Sequence, residues 1–107
     1  MTTDDGFRTL GPAEGLAEHD VRPYYLRDRE LRLNVARVDG RLYAFDGLCA
    51  HERCPLSAGL LEGTVIMCQC HGSKYDIRTG EVLRGPADEG LATFEVREHH
   101  GDLQVRV

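Results

Sequence analysis

Leu31-Arg32-Leu33-Asn34-Val35-Ala36-Arg37-Val38, then Asp39-Gly40, then Arg41-Leu42-Tyr43-Ala44-Phe45 is the stretch on which the fold turns. Leu31, Leu33 and Val35 alternate with Arg32 and Asn34, the period-two pattern of a strand with one face toward a core. Val38 leads into Asp39-Gly40, a pair suited to the positive backbone angles of a tight hairpin turn, and Arg41–Phe45 then returns. The reading is therefore an antiparallel pair.

The same grammar recurs on the C-terminal side. Val65-Ile66-Met67-Cys68 and Lys74-Tyr75-Asp76-Ile77 read as short strands, with a turn at Arg78-Thr79-Gly80-Glu81 before Val82-Leu83 resumes. Thr93–Arg97 and Leu103–Val107 flank His99-His100-Gly101-Asp102 and suggest a terminal hairpin. Only Gly15–His19 has helical character, and Gly11-Pro12 just before it limits that to a single turn. No repeat or low-complexity stretch interrupts the pattern. The expected fold is all-β, an antiparallel sandwich or barrel. Residues 46–87, rich in Gly, Cys, His and Pro, read as a small site-bearing β insert within a single domain spanning 1–107.

With 107 residues the chain suits one compact domain. Its formal charge of -5, with Lys and Arg interspersed among Asp and Glu, argues against a nucleic-acid partner and leaves room for docking to a basic protein. Met1-Thr2-Thr3-Asp4-Asp5-Gly6 is polar and acidic, unlike a secretory signal, and no apolar run reaches membrane-spanning length. A cytoplasmic location without membrane insertion is expected. All four cysteines lie between Cys49 and Cys70, and in a reducing compartment such crowding points to metal or redox chemistry before a disulfide scaffold.

Within the insert, Cys49-Ala50-His51 and Cys68-Gln69-Cys70-His71 form one Cys-x-His loop and one Cys-x-x-His loop. Each offers a sulfur and a nitrogen. Two thiolates on one iron and two imidazoles on the other is the ligand set of a Rieske centre, but Cys2His2 is an equally good tetrahedral set for structural zinc. Ligand spacing alone does not separate them.

The surrounding residues do. Pro55-Leu56-Ser57-Ala58-Gly59 stands between the loops, and His71-Gly72-Ser73-Lys74-Tyr75-Asp76, Thr79-Gly80-Glu81-Val82 and Gly85-Pro86-Ala87 follow them. In this combination the chain resembles the Rieske family, and the resemblance implies a [2Fe-2S] cluster held by Cys49, His51, Cys68 and His71, with the imidazoles toward solvent. It further implies a Cys54–Cys70 disulfide tying the two loops together, as in the high-potential respiratory members. Ser73 and Tyr75 match positions that in those members donate hydroxyl hydrogen bonds to a bridging sulfide and to a ligand cysteine sulfur, which raises the potential. Gly85 and Pro86 match a loop that covers the cluster. The chain departs from the respiratory subunits in lacking their anchor and extra length, and has Gln69 where many members have Pro.

Plainer roles stand beside these. Cys54 and Cys70 could be buried free thiols, and Ser73 and Tyr75 could satisfy backbone groups or pack. Leu56, Leu60, Leu61 and Ile66 read as core beneath the site. His19, His99 and His100 lie in polar surroundings and receive no role. No acid-base pair or substrate pocket is visible, so the chain alone is not expected to be an enzyme. The expected function is a soluble one-electron carrier of raised potential, monomeric when free, that meets a reductase and a terminal oxidoreductase. A small electron-transfer subunit of a stable complex, or a zinc-stabilised or redox-sensing interaction module, are the alternatives.

Overall fold

The computed structural model describes residues 6–50 and 53–107. Among the described residues ten strands make up almost all of the regular structure: β1 (Phe7–Pro12), β2 (Val21–Leu26), β3 (Leu31–Val38), β4 (Arg41–Asp46), β5 (Leu60–Glu62), β6 (Val65–Met67), β7 (Lys74–Asp76), β8 (Val82–Arg84), β9 (Thr93–His99) and β10 (Asp102–Arg106). They form an antiparallel six-stranded sheet in the order β1-β10-β9-β4-β3-β2 and a four-stranded sheet in the order β5-β6-β7-β8. The second sheet is contributed by the chain between β4 and β9. Among the described residues no helix is long and apolar enough to cross a membrane.

The β3–β4 hairpin pairs Val38 with Arg41 across Asp39-Gly40, both of which adopt positive φ, as a tight turn of this hand requires. Along β3, four consecutive residues, Leu33 to Ala36, are buried, a pattern that simple alternation does not produce. The cause is packing on both faces. Leu33 and Val35 join Ala44, Leu103 and Val105 in a core enclosed by the large sheet. Ala36 and Val38 join Phe45, Leu56, Ile66, Tyr75, Ile77 and Leu91 in a second core, between that sheet and the insert. Phe45 is fully enclosed at this junction, so its burial contributes roughly 1.5 to 3 kcal/mol to holding the two units together.

One expected core residue is placed differently. Leu56 and Ile66 are fully buried and Leu61 packs against the second core, but Leu60 is 52% exposed. Leu60 and Leu61 are neighbours on a strand and so point to opposite faces; Leu61 takes the inner one. Leu60 sits opposite Met67 on the outer face.

Candidate metal centre

Two loops with the same backbone design carry the cysteines. In the first, the N–H of Cys49 donates to the Cys54 carbonyl at 2.8 Å and the N–H of Arg53 donates to the Cys49 carbonyl at 2.7 Å. In the second, the N–H of Cys68 donates to the Ser73 carbonyl at 2.8 Å and that of Gly72 to the Cys68 carbonyl at 3.0 Å. The residue four places after each cysteine is left-handed, Arg53 at φ 55° and Gly72 at φ 80°. Each loop is therefore a closed turn that starts at a cysteine and fixes its direction. A Leu48–Pro55 bridge closes the first loop at its base. The N–H of Gly47 donates to the Arg32 carbonyl at 2.9 Å and seats that loop on β3.

The turns bring Cys49 and Cys68 together. Both are 1% exposed and neither is in a disulfide. Burial pushes the Cys68 thiol up from its ordinary pKa, and the neighbouring Cys49 side chain pushes the same way, against the Cys70 and His71 backbone amides. Two adjacent buried thiols of this kind do not both ionise unless a positive charge joins them. His71 lies on the second loop and is exposed, so the thiols face inward and this imidazole faces outward. His51 lies outside the described residues.

Cys54 and Cys70 are joined by a disulfide with a Cα separation of 6.5 Å, which links the two loops. Their sulfurs lie within 4.8 Å of the Cys68 sulfur, but two sulfurs bonded to each other are not thiolate ligands, so this trio is not a metal-binding set.

Around the thiols runs a line of hydroxyls. Tyr75, fully buried on β7, places its Oη 3.1 Å from Cys49 Sγ. Burial, and then the adjacent Cys49, push the Tyr75 hydroxyl up to about 12, while the Ala50 backbone amide and, after it, Ser73 pull it back. Ser73 is itself fully buried, and its Oγ accepts the N–H of Ala87 at 3.0 Å. Gly85 and Pro86 are exposed on the segment just before Ala87. That segment is held again further on, where the N–H of Leu91 donates to the Gly80 carbonyl at 2.8 Å. A Cβ at Gly80 would collide with the Leu91 carbonyl oxygen, so only glycine lets the two backbones approach this closely. Gly85-Pro86-Ala87 stands out in the sequence, but the main-chain donor at Ala87 has no signature there, since every residue but proline has one.

Comparison with known proteins agrees with this geometry. The family model described as "Rieske [2Fe-2S] domain" matches residues 8–95. The chain is 36% identical over 81 residues to sulredoxin of Sulfurisphaera tokodaii, covering 68% of this chain and 74% of that protein. It is 35% identical over 82 residues to the ferredoxin component of the naphthalene 1,2-dioxygenase system of Pseudomonas putida, covering 77% of each. Its fold superposes with a TM-score of 0.86 on a chain from the complex of reduced oxygenase and oxidized ferredoxin in carbazole 1,9a-dioxygenase, at 29% identity and covering 96% and 94% of the two chains.

A [2Fe-2S] cluster of the Rieske type suits the residues present. Cys49 and Cys68 would hold iron of such a cluster, which would offset the charge that burial makes costly on them, and the Tyr75 hydroxyl stands where a thiolate acceptor needs a donor.

Proposed function

The chain belongs to the Rieske [2Fe-2S] domain family, and from that premise we propose that it is a ferredoxin relaying single electrons from a reductase to the terminal oxygenase of a dioxygenase system. It is a carrier within an oxidoreductase system, with the enzymatic chemistry done by its partner. The observation that carries this reading is the polarity of the site: two enclosed thiols, Cys49 and Cys68, behind one exposed imidazole, His71.

In this reading Cys49 and Cys68 hold one iron, His51 and His71 hold the other, and residues 46–87 form the cluster-bearing insert of a single domain. The cluster supplies a centre that accepts and releases one electron. Everything else is done by the chain. The two cores exclude water from the thiol side. The closed turns at Cys49 and Cys68 hold the sulfurs at a fixed separation, so little rearrangement accompanies a change of charge. The exposed His71 edge brings a partner within short reach.

The raised potential belongs to the same proposal. An added electron makes the centre more negative, and donors aimed at it stabilise that state. Tyr75 is such a donor, and Ser73, whose Oγ accepts the Ala87 N–H, keeps its hydroxyl proton for the same buried cluster.

The test is made on the purified holoprotein. Iron and acid-labile sulfide should be found in equal amounts, two of each per chain by the cluster's own formula. Cys49→Ser and Cys68→Ser should be colourless. The reduced protein should be reoxidised rapidly on mixing with a Rieske-type terminal oxygenase. Zinc without sulfide, or a reduced protein that no oxygenase reoxidises, defeats the reading.

A further inference from the structure

Away from the thiols, a groove of about 590 Å³ runs between the β2–β3 pair and the base of the first cysteine loop. Such a volume lies within the range of small-molecule sites. Pro23 and Tyr25 of β2, Arg32 and Asn34 of β3, and Leu48 and Pro55 of the loop line it. The Arg32 guanidinium stands 5.1 Å from the centre of the Tyr25 ring, and Tyr25 is 51% exposed.

The floor holds an unsettled group. Asn34 is 0% exposed, and neither its side-chain Nδ2 nor its Oδ1 meets a hydrogen-bonding group among the described residues. An enclosed amide with both ends unmatched is costly, and an apolar side chain of similar size would avoid that cost at a position whose β3 neighbours Leu33, Val35 and Ala36 are all buried and apolar. Asn34 shares a face of β3 with Arg32, and in the ladder it stands opposite Pro23, so its side chain belongs to the groove side rather than to the core formed by Leu33 and Val35.

We propose that this groove binds a small aromatic carboxamide, whose amide pairs with Asn34 and whose ring lies among Pro23, Tyr25, Leu48 and Pro55. The class follows from the chemistry of the two surfaces. A primary amide offers one donor and one acceptor side by side, and the group that satisfies both in one plane is another amide. A carboxylate brings acceptors only and leaves Oδ1 unmatched. The walls are rings and branched carbons, which favour a flat apolar body. The Asn34 amide is closed off from solvent, so binding is accompanied by a shift of the groove wall over it. The proposal is independent of the electron-carrier reading.

Benzamide is the probe, titrated into the oxidised holoprotein and followed by calorimetry and by ligand-observed NMR. Saturable one-to-one binding is expected, with a dissociation constant on the order of a millimolar for so small a ligand. Toluene, which keeps the ring and lacks the amide, should bind at least roughly tenfold more weakly, the scale of an unmatched buried polar pair. Asn34→Leu should abolish the preference for benzamide over toluene. Tyr25→Ala, a change at the exposed rim that keeps Asn34, should weaken benzamide by a similar factor and guards against a misfolded Asn34 variant; the visible spectrum of the cluster reports the fold of both. Absence of saturable benzamide binding overturns the proposal, as does equal binding of benzamide and toluene to the unmodified protein. Binding that both substitutions leave unchanged overturns it as well.

Discussion

The N–H of Ala87 donates to the Ser73 hydroxyl at 3.0 Å, so the Gly85–Ala87 segment and the second cysteine loop are joined by one buried bond. With one lone pair engaged by Ala87, the Ser73 hydroxyl keeps its own proton beside Tyr75, whose hydroxyl stands 3.1 Å from Cys49 Sγ. The result is a short chain of buried polar groups running from main-chain amide toward thiol. Ser73→Ala should cost about 1 to 3 kcal/mol, the price of an unmatched buried donor at Ala87. It should also lower the midpoint potential by tens of millivolts, since about 60 mV corresponds to about 1.4 kcal/mol for one electron. Denaturant unfolding and redox titration read the two effects separately; an unchanged potential removes Ser73 from the chain.

Tyr75→Phe keeps the ring in the core and deletes only the hydroxyl that faces Cys49. The potential should fall by tens of millivolts, on the same scale of about 60 mV per 1.4 kcal/mol, and the melting temperature should fall by a few degrees, because the Ala50 amide loses its acceptor. Because Ser73 acts partly through Tyr75, the double variant should lose less potential than the two single losses added together. Strict additivity in titrations of all three variants would show that the two hydroxyls act independently.

The two cysteine turns differ at their left-handed residue. Gly72 at φ 80° has no neighbour within 4 Å of where a Cβ would stand, so Gly72→Ala tests backbone conformation alone. It should destabilise the protein by roughly 1 to 2 kcal/mol. Arg53 already bears a side chain at φ 55°. Arg53→Gly relieves that strain and loosens the unfolded chain, effects that nearly offset, so its unfolding free energy should stay within about 1 kcal/mol of the original. Equal losses in both variants would contradict the matched geometry of the turns.

What the sequence disclosed follows physical lines. β3 and β4 were legible because their alternation and Asp39-Gly40 are local signals. β1 and β2 were not: Gly11 and Pro12 end one, which depends on long-range register with β10, and Pro23 breaks the strand signal of the other, which pairs locally with β3. Leu60 was misplaced because a three-residue strand leaves little pattern from which to choose a face. At the site, the candidate ligand types were visible in the spacing of Cys and His, and the Cys54–Cys70 pairing came from family resemblance. The Ala87–Ser73 bond and the Gly80–Leu91 approach had no residue signature, since main-chain groups make them.

The Cys54–Cys70 bridge joins positions 16 apart in the sequence. In the chain-entropy account a crosslink of this span contributes about 2 to 4 kcal/mol. The double variant Cys54→Ala/Cys70→Ala should lose stability of that order and bleach faster on heating, followed by the visible absorbance of the cluster. Cys70 is exposed, so a thiol reductant should reproduce the effect in the unmodified protein. Bleaching that neither treatment accelerates would mean that the cluster alone holds the loops.

Asp76 ties β7 to the turn that carries Gly80. Its carboxylate, almost enclosed, accepts the Arg78 N–H at 2.9 Å and the guanidinium at 2.8 Å, while its carbonyl accepts the N–H of Gly80 at 2.7 Å. The Arg78 side chain holds the carboxyl below its ordinary range against the opposing effect of burial. A depressed carboxylate stabilises the folded chain above the unfolded value, about 3.9, and that contribution disappears as pH falls through the lower folded value. Asp76→Asn should therefore unfold more easily at neutral pH, by about 1.5 to 3 kcal/mol for hydrogen bonds to a charged group. The gap should narrow steadily below about pH 4. Comparing the two proteins at each pH cancels the acid lability they share. A gap that persists unchanged into strong acid would show that shape at Asp76, rather than its charge, fastens the turn and with it the strap from Gly80 to Leu91 that carries Ala87 to Ser73.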